Sequence, residues 1–124
     1  MSKKVITKER GWPGHFCLGY RCVFHRNTLV ECGNIKIVVS TVGNYMDHNE
    51  SLQEIGLNRY YETMAFHSDP SDEKYHDVDV TKEVSFTSGW RITEKYKDNE
   101  ANAMHENVVI EIVNRLLHDE IGNE

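Results

Sequence analysis

A chain of 124 residues is the usual size of one domain and is long enough to bury a real core. Hydrophobic residues make up 39% and charged residues 27%, which fits neither a disordered nor a membrane-embedded chain. The longest apolar stretch, Ile35 to Val42, falls well short of the roughly 18–20 residues of a membrane helix. A net charge of −6 argues against coating long DNA or RNA, but a small anion needs only two or three well-placed arginines.

Met1 to Arg10 carries basic residues with no apolar core, so no secretory signal is expected. Cys17, Cys22 and Cys32 are odd in number and lie in apolar-alternating segments. They read as buried free thiols of a reducing cytosol, since a zinc site wants a fourth ligand and a CxxC pair. Gly11-Trp-Pro-Gly14 is turn punctuation. Phe16 to Phe24 then alternates apolar positions with period two, which predicts a half-buried strand, and His25-Arg26-Asn27 reads as a bend. Thr28–Cys32 and Ile35–Val42 are two further strands. Gly33-Asn34 between them suits a tight primed hairpin turn. Val38 and Val42 lie opposite Ile35, Ile37 and Val39, so both faces of that strand should be at least partly covered.

Arg59–His67 is a fourth strand, with Glu62 on the same face as Tyr60, Met64 and Phe66, either at an edge or as a functional carboxylate. Ser68 to Asp77 is an acidic surface loop, followed by short β pieces at Val78–Val80 and Glu83–Phe86. Asn99 can cap a helix running to about His118. Its apolar stripe (Ala101, Met104, Val108, Ile112 and Leu116, flanked by Val109, Val113 and Leu117) is broader than one sheet contact covers. The expected fold is therefore α+β: an antiparallel β-sheet body packed by a C-terminal α-helix. It forms a single domain over 1–124, β-rich over 1–90 with the helix at 99–119, and assembles as an even-numbered homo-oligomer.

Chemical motifs are few. His105-Glu106 invites a zinc-protease reading, but Val109 stands where the second histidine of HExxH belongs, so His105 reads as a partly exposed helix residue. Asp69, Asp72, Asp77 and Asp79 with His67 and His76 lack the order of a calcium loop and read as solvated, so no metal and no cofactor is expected. Ser40 has no evident base, and phosphate-loop glycine patterns are missing, so no catalytic residue is assigned. What remains suits a nucleotide: Phe86, Trp90, Tyr60 and Tyr61 for stacking, Asn102 for a base edge, and Arg26, Arg59 and Arg115 for phosphate.

Six strings carry a resemblance: Glu9-Arg-Gly-Trp-Pro-Gly-His-Phe16, Phe24-His-Arg-Asn-Thr-Leu-Val30, Val38-Val-Ser-Thr-Val-Gly43, Arg59-Tyr-Tyr-Glu-Thr-Met-Ala-Phe66, Asp79-Val-Thr-Lys-Glu-Val84 and Ala101-Asn-Ala-Met-His-Glu106. Over about residues 7–117 the chain resembles the phage Thoeris anti-defence sponge family. That resemblance implies a homo-oligomeric protein of the host cytosol. It would sequester cyclic ADP-ribose isomers made by bacterial TIR-domain enzymes without cleaving them, and could also take cyclic oligonucleotides. It places Phe86 and Asn102 on adenine and Arg26 on pyrophosphate, with Arg59 and Arg115 as further candidates. His25 stands where a second arginine would complete a clamp at Arg26. The competing readings are a metal-dependent hydrolase of the same signal, built on His67, His76, Asp77 and Asp79, and a direct protein inhibitor of a defence complex.

Overall fold

The computed structural model describes residues 3–10, 15, 21–73 and 77–122. The sheet contains β1 (Ile6–Glu9), β2 (Cys22–Cys32), β3 (Ile35–Met46), β4 (Leu52–Gln53), β5 (Tyr61–Ser68), β6 (Val78–Val84) and β7 (Arg91–Ile92), and α1 (Asp98–Leu117) closes the chain. The strands form one antiparallel sheet in the order β1-β2-β3-β5-β6, with β4 on β3 and β7 on β5. The α+β architecture is thus an antiparallel sheet packed by a single C-terminal helix.

The β2–β3 hairpin is the spine. Its register runs from Cys32↔Ile35 to Cys22↔Tyr45, and Gly33 turns the chain at φ +60°, a conformation glycine adopts without a Cβ clash. The expected bend at His25–Asn27 is absent, because Phe24 to Cys32 pair without interruption on β3. The polar character that suggested a turn instead serves hydrogen bonds: Asn27 takes Arg10, and Arg26 takes Glu9. The expected strand pieces after the acidic loop form one strand, β6. Phe16 to Tyr20, the Gly11–Gly14 turn and Cys17 lie outside the described residues.

Registered partners share a face, so Thr28, Val30, Ile37, Val39, Thr63 and Ala65 all point one way. That face meets α1: Val30, Ile37, Val39 and Ala65 pack with Val108, Val109, Ile112 and Leu116 in the main core. Phe24 and Tyr61 pack with Ala101 and Met104 one turn or more up the helix. Gly43 sits opposite Tyr61, where any Cβ would collide with the tyrosine ring. The other face is also closed, with Val38 and Val42 fully buried. Arg10 on Asn27, and His15 on Ser40 and beside the Phe66 ring, are among the groups covering it. Val113 is only partly buried, and Ile110 and Leu117 remain exposed on the outer side of α1.

The helix does not start on an Asn99 cap. Lys97 is the N-cap residue and makes no side-chain cap bond. Its backbone N–H donates to the Tyr61 hydroxyl at 2.8 Å, which donates to Asp98 Oδ1 at 2.6 Å and accepts from Asn44. A strand tyrosine therefore anchors the helix start through the N-cap amide and the Asp98 carboxylate. Burial, together with its bond to Asp98, pushes the Tyr61 hydroxyl up to about 12, so it remains a donor at ordinary pH.

Candidate functional site

β5 has two partners along one edge. β6 takes its C-terminal half from Ala65 onward, and β7 takes Tyr61 and Glu62. The connector from Ser85 to Trp90 bridges the gap, fixed by the Thr63 N–H donating to the Trp90 carbonyl at 2.8 Å. Two hollows open there. One, of about 420 Å³, is lined by Arg59, Glu62, Thr63, Met64, Glu83, Ser85, Phe86 and Trp90. The other, of about 460 Å³, is lined by Ser85, Phe86, Thr87, Glu111, Arg115 and Glu120. Both lie in the range of small-molecule sites, about 300–1,000 Å³. Phe86 belongs to both and packs its inner side on the main core.

In the first hollow Trp90 is 41% exposed, with the Arg59 and Arg91 guanidiniums each 5.5 Å from its ring centroid. Such contacts hold an aromatic plane in place while it remains partly open to solvent. Arg59 Nε lies 2.7 Å from Glu62 Oε2, an ion pair by distance whose N–H is not aimed along the contact. The guanidinium rests over Gly56, where any side chain would clash with it. Glu62 is neither at a free edge nor solvated: it is buried, with His15 Nε2 3.1 Å from its Oε1. Burial alone would raise its pKa, but His15 and Arg59 outweigh that and keep the carboxylate charged.

The Glu62–His15 contact continues to Ser40, whose Oγ lies 2.8 Å from His15 Nδ1. The order serine–histidine–carboxylate matches a hydrolase triad in residue type. Ser40 is, however, completely buried and lines neither hollow, so no substrate carbonyl can reach its oxygen. The arrangement is a buried polar strut.

In the second hollow Glu111 reaches from α1 into the connector and accepts four bonds. Ser88 N–H and Oγ donate to its Oε1 at 2.9 and 2.7 Å, Thr87 Oγ1 to Oε1 at 3.1 Å, and Thr87 N–H to Oε2 at 2.8 Å. Burial pulls its pKa up, and the Ser88 and Thr87 bonds more than offset this, holding it below the usual carboxylate range. Arg115 donates from Nη1 to the Ser85 carbonyl at 2.5 Å, with Glu111 Oε2 3.9 Å away.

Of the five ligand residues expected from sequence, the structure gathers three: Phe86 lies between Arg59 on one side and Arg115 on the other. It does not place Phe86 beside the helix start. The connector is tied to Glu111, and Asn102 lies nine residues earlier, about 14 Å along the axis. Asn102 is exposed and lines neither hollow. Arg26 is not at a bend but mid-strand, and its guanidinium is shared between Glu9 at 2.9 Å and Glu106 at 2.6 Å. Tyr61 is core, with Trp90 the more open aromatic plane.

His105 corrects a further expectation, being fully buried. Its Nε2 is 2.7 Å from Thr28 Oγ1 and its Nδ1 2.7 Å from Thr41 Oγ1, which in turn is 2.6 Å from Thr63 Oγ1. Thr28 spends its single hydroxyl proton on Glu9, a carboxylate that only accepts. Thr28 must therefore accept from Nε2–H, and Nδ1 accepts from Thr41. Burial first, then the Arg26 charge, drives the imidazole pKa down to about 4 and keeps the ring neutral. Asp69 of the acidic loop and Asp79 of β6 are used locally, on Ser71 and Thr81. Among the described residues no three metal-ligating side chains converge. Cys22 is buried, with its thiol raised to about 11 by burial, and Cys32 is half-buried; both are free. No described helix is long and apolar enough to cross a membrane.

Serine 85, Thr87, Ser88 and Glu111 were not singled out by sequence. Thr87-Ser88-Gly89 reads only as a polar connector, and Glu111 as the solvated side of an amphipathic helix. Compared with known proteins, the chain matches no family model, no curated protein and no solved structure.

Proposed function

We propose that this protein binds and sequesters a cyclic ADP-ribose isomer in the host bacterial cytosol without cleaving it, and so acts as a phage counter-defence sponge against Thoeris immunity. The observation that carries the reading is the position of Phe86 between two hollows with an arginine in each. A cyclic ADP-ribose isomer offers a base to stack and a pyrophosphate for guanidinium, and ring stacking is worth about 1–3 kcal/mol per base. Sequestration needs no nucleophile, and Ser40, the hydroxyl of the Ser40–His15–Glu62 strut, is fully buried and lines neither hollow. Larger cyclic oligonucleotides fit the same chemistry. The exposed Ile110 and Leu117 on α1 support an even-numbered homo-oligomer.

The test is to incubate the protein with the signal nucleotide, remove free ligand, denature, and chromatograph the supernatant. Intact nucleotide released only on denaturation is the expected result. New product peaks would replace the sponge with a hydrolase, and no depletion before denaturation would replace it with a protein inhibitor. Phe86→Ala and Trp90→Ala should each weaken capture by about 1–3 kcal/mol, or roughly 5- to 150-fold.

A further inference from the structure

The four donors on Glu111 form an anion site. Two successive backbone N–H groups and two hydroxyls converge on one carboxylate, with a guanidinium alongside. Consecutive amides facing one point make a nest of the kind that holds phosphate oxygens. Arg115 has five N–H donors and spends one on the Ser85 carbonyl. The Glu111 carboxylate thus stands where the oxygens of a ligand anion would stand. With Glu111 and Glu120 against Arg115, the hollow carries excess negative charge while Glu111 occupies it.

We infer that the Thr87–Ser88 nest is a pyrophosphate subsite, occupied in the free chain by Glu111 and opened when an incoming phosphate oxyanion displaces that side chain. The inference rests on the reading of a phosphate-bearing ligand above. A pyrophosphate brings more charge and more acceptor oxygens than one carboxylate, so it competes for the same donors and recruits Arg115 as a fork. Glu111 swings out on a helix side chain, with no change in strand register. In the free chain it keeps the connector closed on α1 and the donors satisfied, so the nest does not collapse or fill with weakly held anions. This makes the site selective for polyphosphate over smaller anions such as sulfate.

Amide spectra of nitrogen-15-labelled protein titrated with inorganic pyrophosphate test it, with sulfate at matched ionic strength as control. The Thr87 and Ser88 amides should shift with pyrophosphate and not with sulfate. Glu111→Gln keeps the shape but removes the charge, weakening the internal occupant and its repulsion of the ligand, and should tighten pyrophosphate at least tenfold. Ser88→Ala added to Glu111→Gln, where the charged occupant is already gone, leaves both amides in place and should weaken it at least threefold relative to Glu111→Gln. Unmoved Thr87 and Ser88 amides, or equal affinity in the parent and Glu111→Gln, overturn the subsite, as does unchanged affinity when Ser88→Ala is added to Glu111→Gln. The two readings fail separately. Capture of the cyclic nucleotide without movement of these amides removes the nest and leaves the sponge, whereas pyrophosphate in the nest without nucleotide capture does the reverse.

Discussion

Lowering the pH from 7 to 4.5 should destabilise the fold through His105. The imidazole is neutral in the folded chain, with a pKa near 4 against an ordinary value of 6.5. Between those values the unfolded chain binds a proton that the folded chain does not, so stability rises with pH and is lost as pH falls. The full shift corresponds to about 3 kcal/mol at 1.36 kcal/mol per pH unit, and about 2 kcal/mol of it falls between pH 7 and 4.5. Unfolding entropy of about 2.1 cal/mol/K per residue over 124 residues converts this to a fall in Tm of about 8 °C. Glu9, Glu62 and Glu111 are held low, so their stabilising contributions are present above the ordinary carboxylate range and are lost mainly below this window. Calorimetry of the parent and His105→Gln over pH 4.5–7 provides the assay. The variant should lose about 1–3 kcal/mol at pH 7, because one threonine hydroxyl loses its partner, and its Tm should be much flatter with pH. A parent Tm that is flat over this range, or an unchanged slope in the variant, would refute the buried neutral ring.

Two other substitutions probe packing and assembly. Gly43→Ala forces a methyl group into the Tyr61 ring and the Tyr60 carbonyl, and should cost about 1–3 kcal/mol in denaturant unfolding; parent-like stability would mean that the ring has room to move. Light scattering should give an even multiple of the 14.4 kDa chain, and Ile110→Glu should shift it toward the monomer; a parent already at one chain mass refutes the assembly.

Long elements announce themselves in this sequence because periodicity does. The helix stripe follows from one face meeting the sheet. β3 and β5 are instead apolar-rich runs covered on both faces, and β2 reads as two pieces because its polar residues at His25–Asn27 imitate a bend. β4 and β7 are two residues each and exist only through pairing with longer neighbours, while β1 is exposed at all four positions and so shows no alternation. The residue types of the site were also legible, in Phe86, Arg59 and Arg115. Their grouping was not, because it depends on where β5 changes partners. Arg26 shows the limit from the other side. As an arginine it suits phosphate, but only the fold reveals two carboxylates already beside it. Thr28, Thr41 and Thr63 are ordinary strand formers by composition, so nothing in their letters marks them as the polar chain that fixes His105.

The change of partner along β5 separates two kinds of evolutionary constraint. Strand pairing is settled elsewhere in the sheet, and within the Ser85–Trp90 connector it is Phe86 that packs on the main core, so the other side chains there can vary with less effect on the scaffold. At Gly89 an added Cβ would meet nothing within 4 Å, so a side chain can be placed there with little penalty to the core. Descendants of this chain could therefore change the shape and charge of both hollows, and hence the ligand they hold, while inheriting an unaltered scaffold.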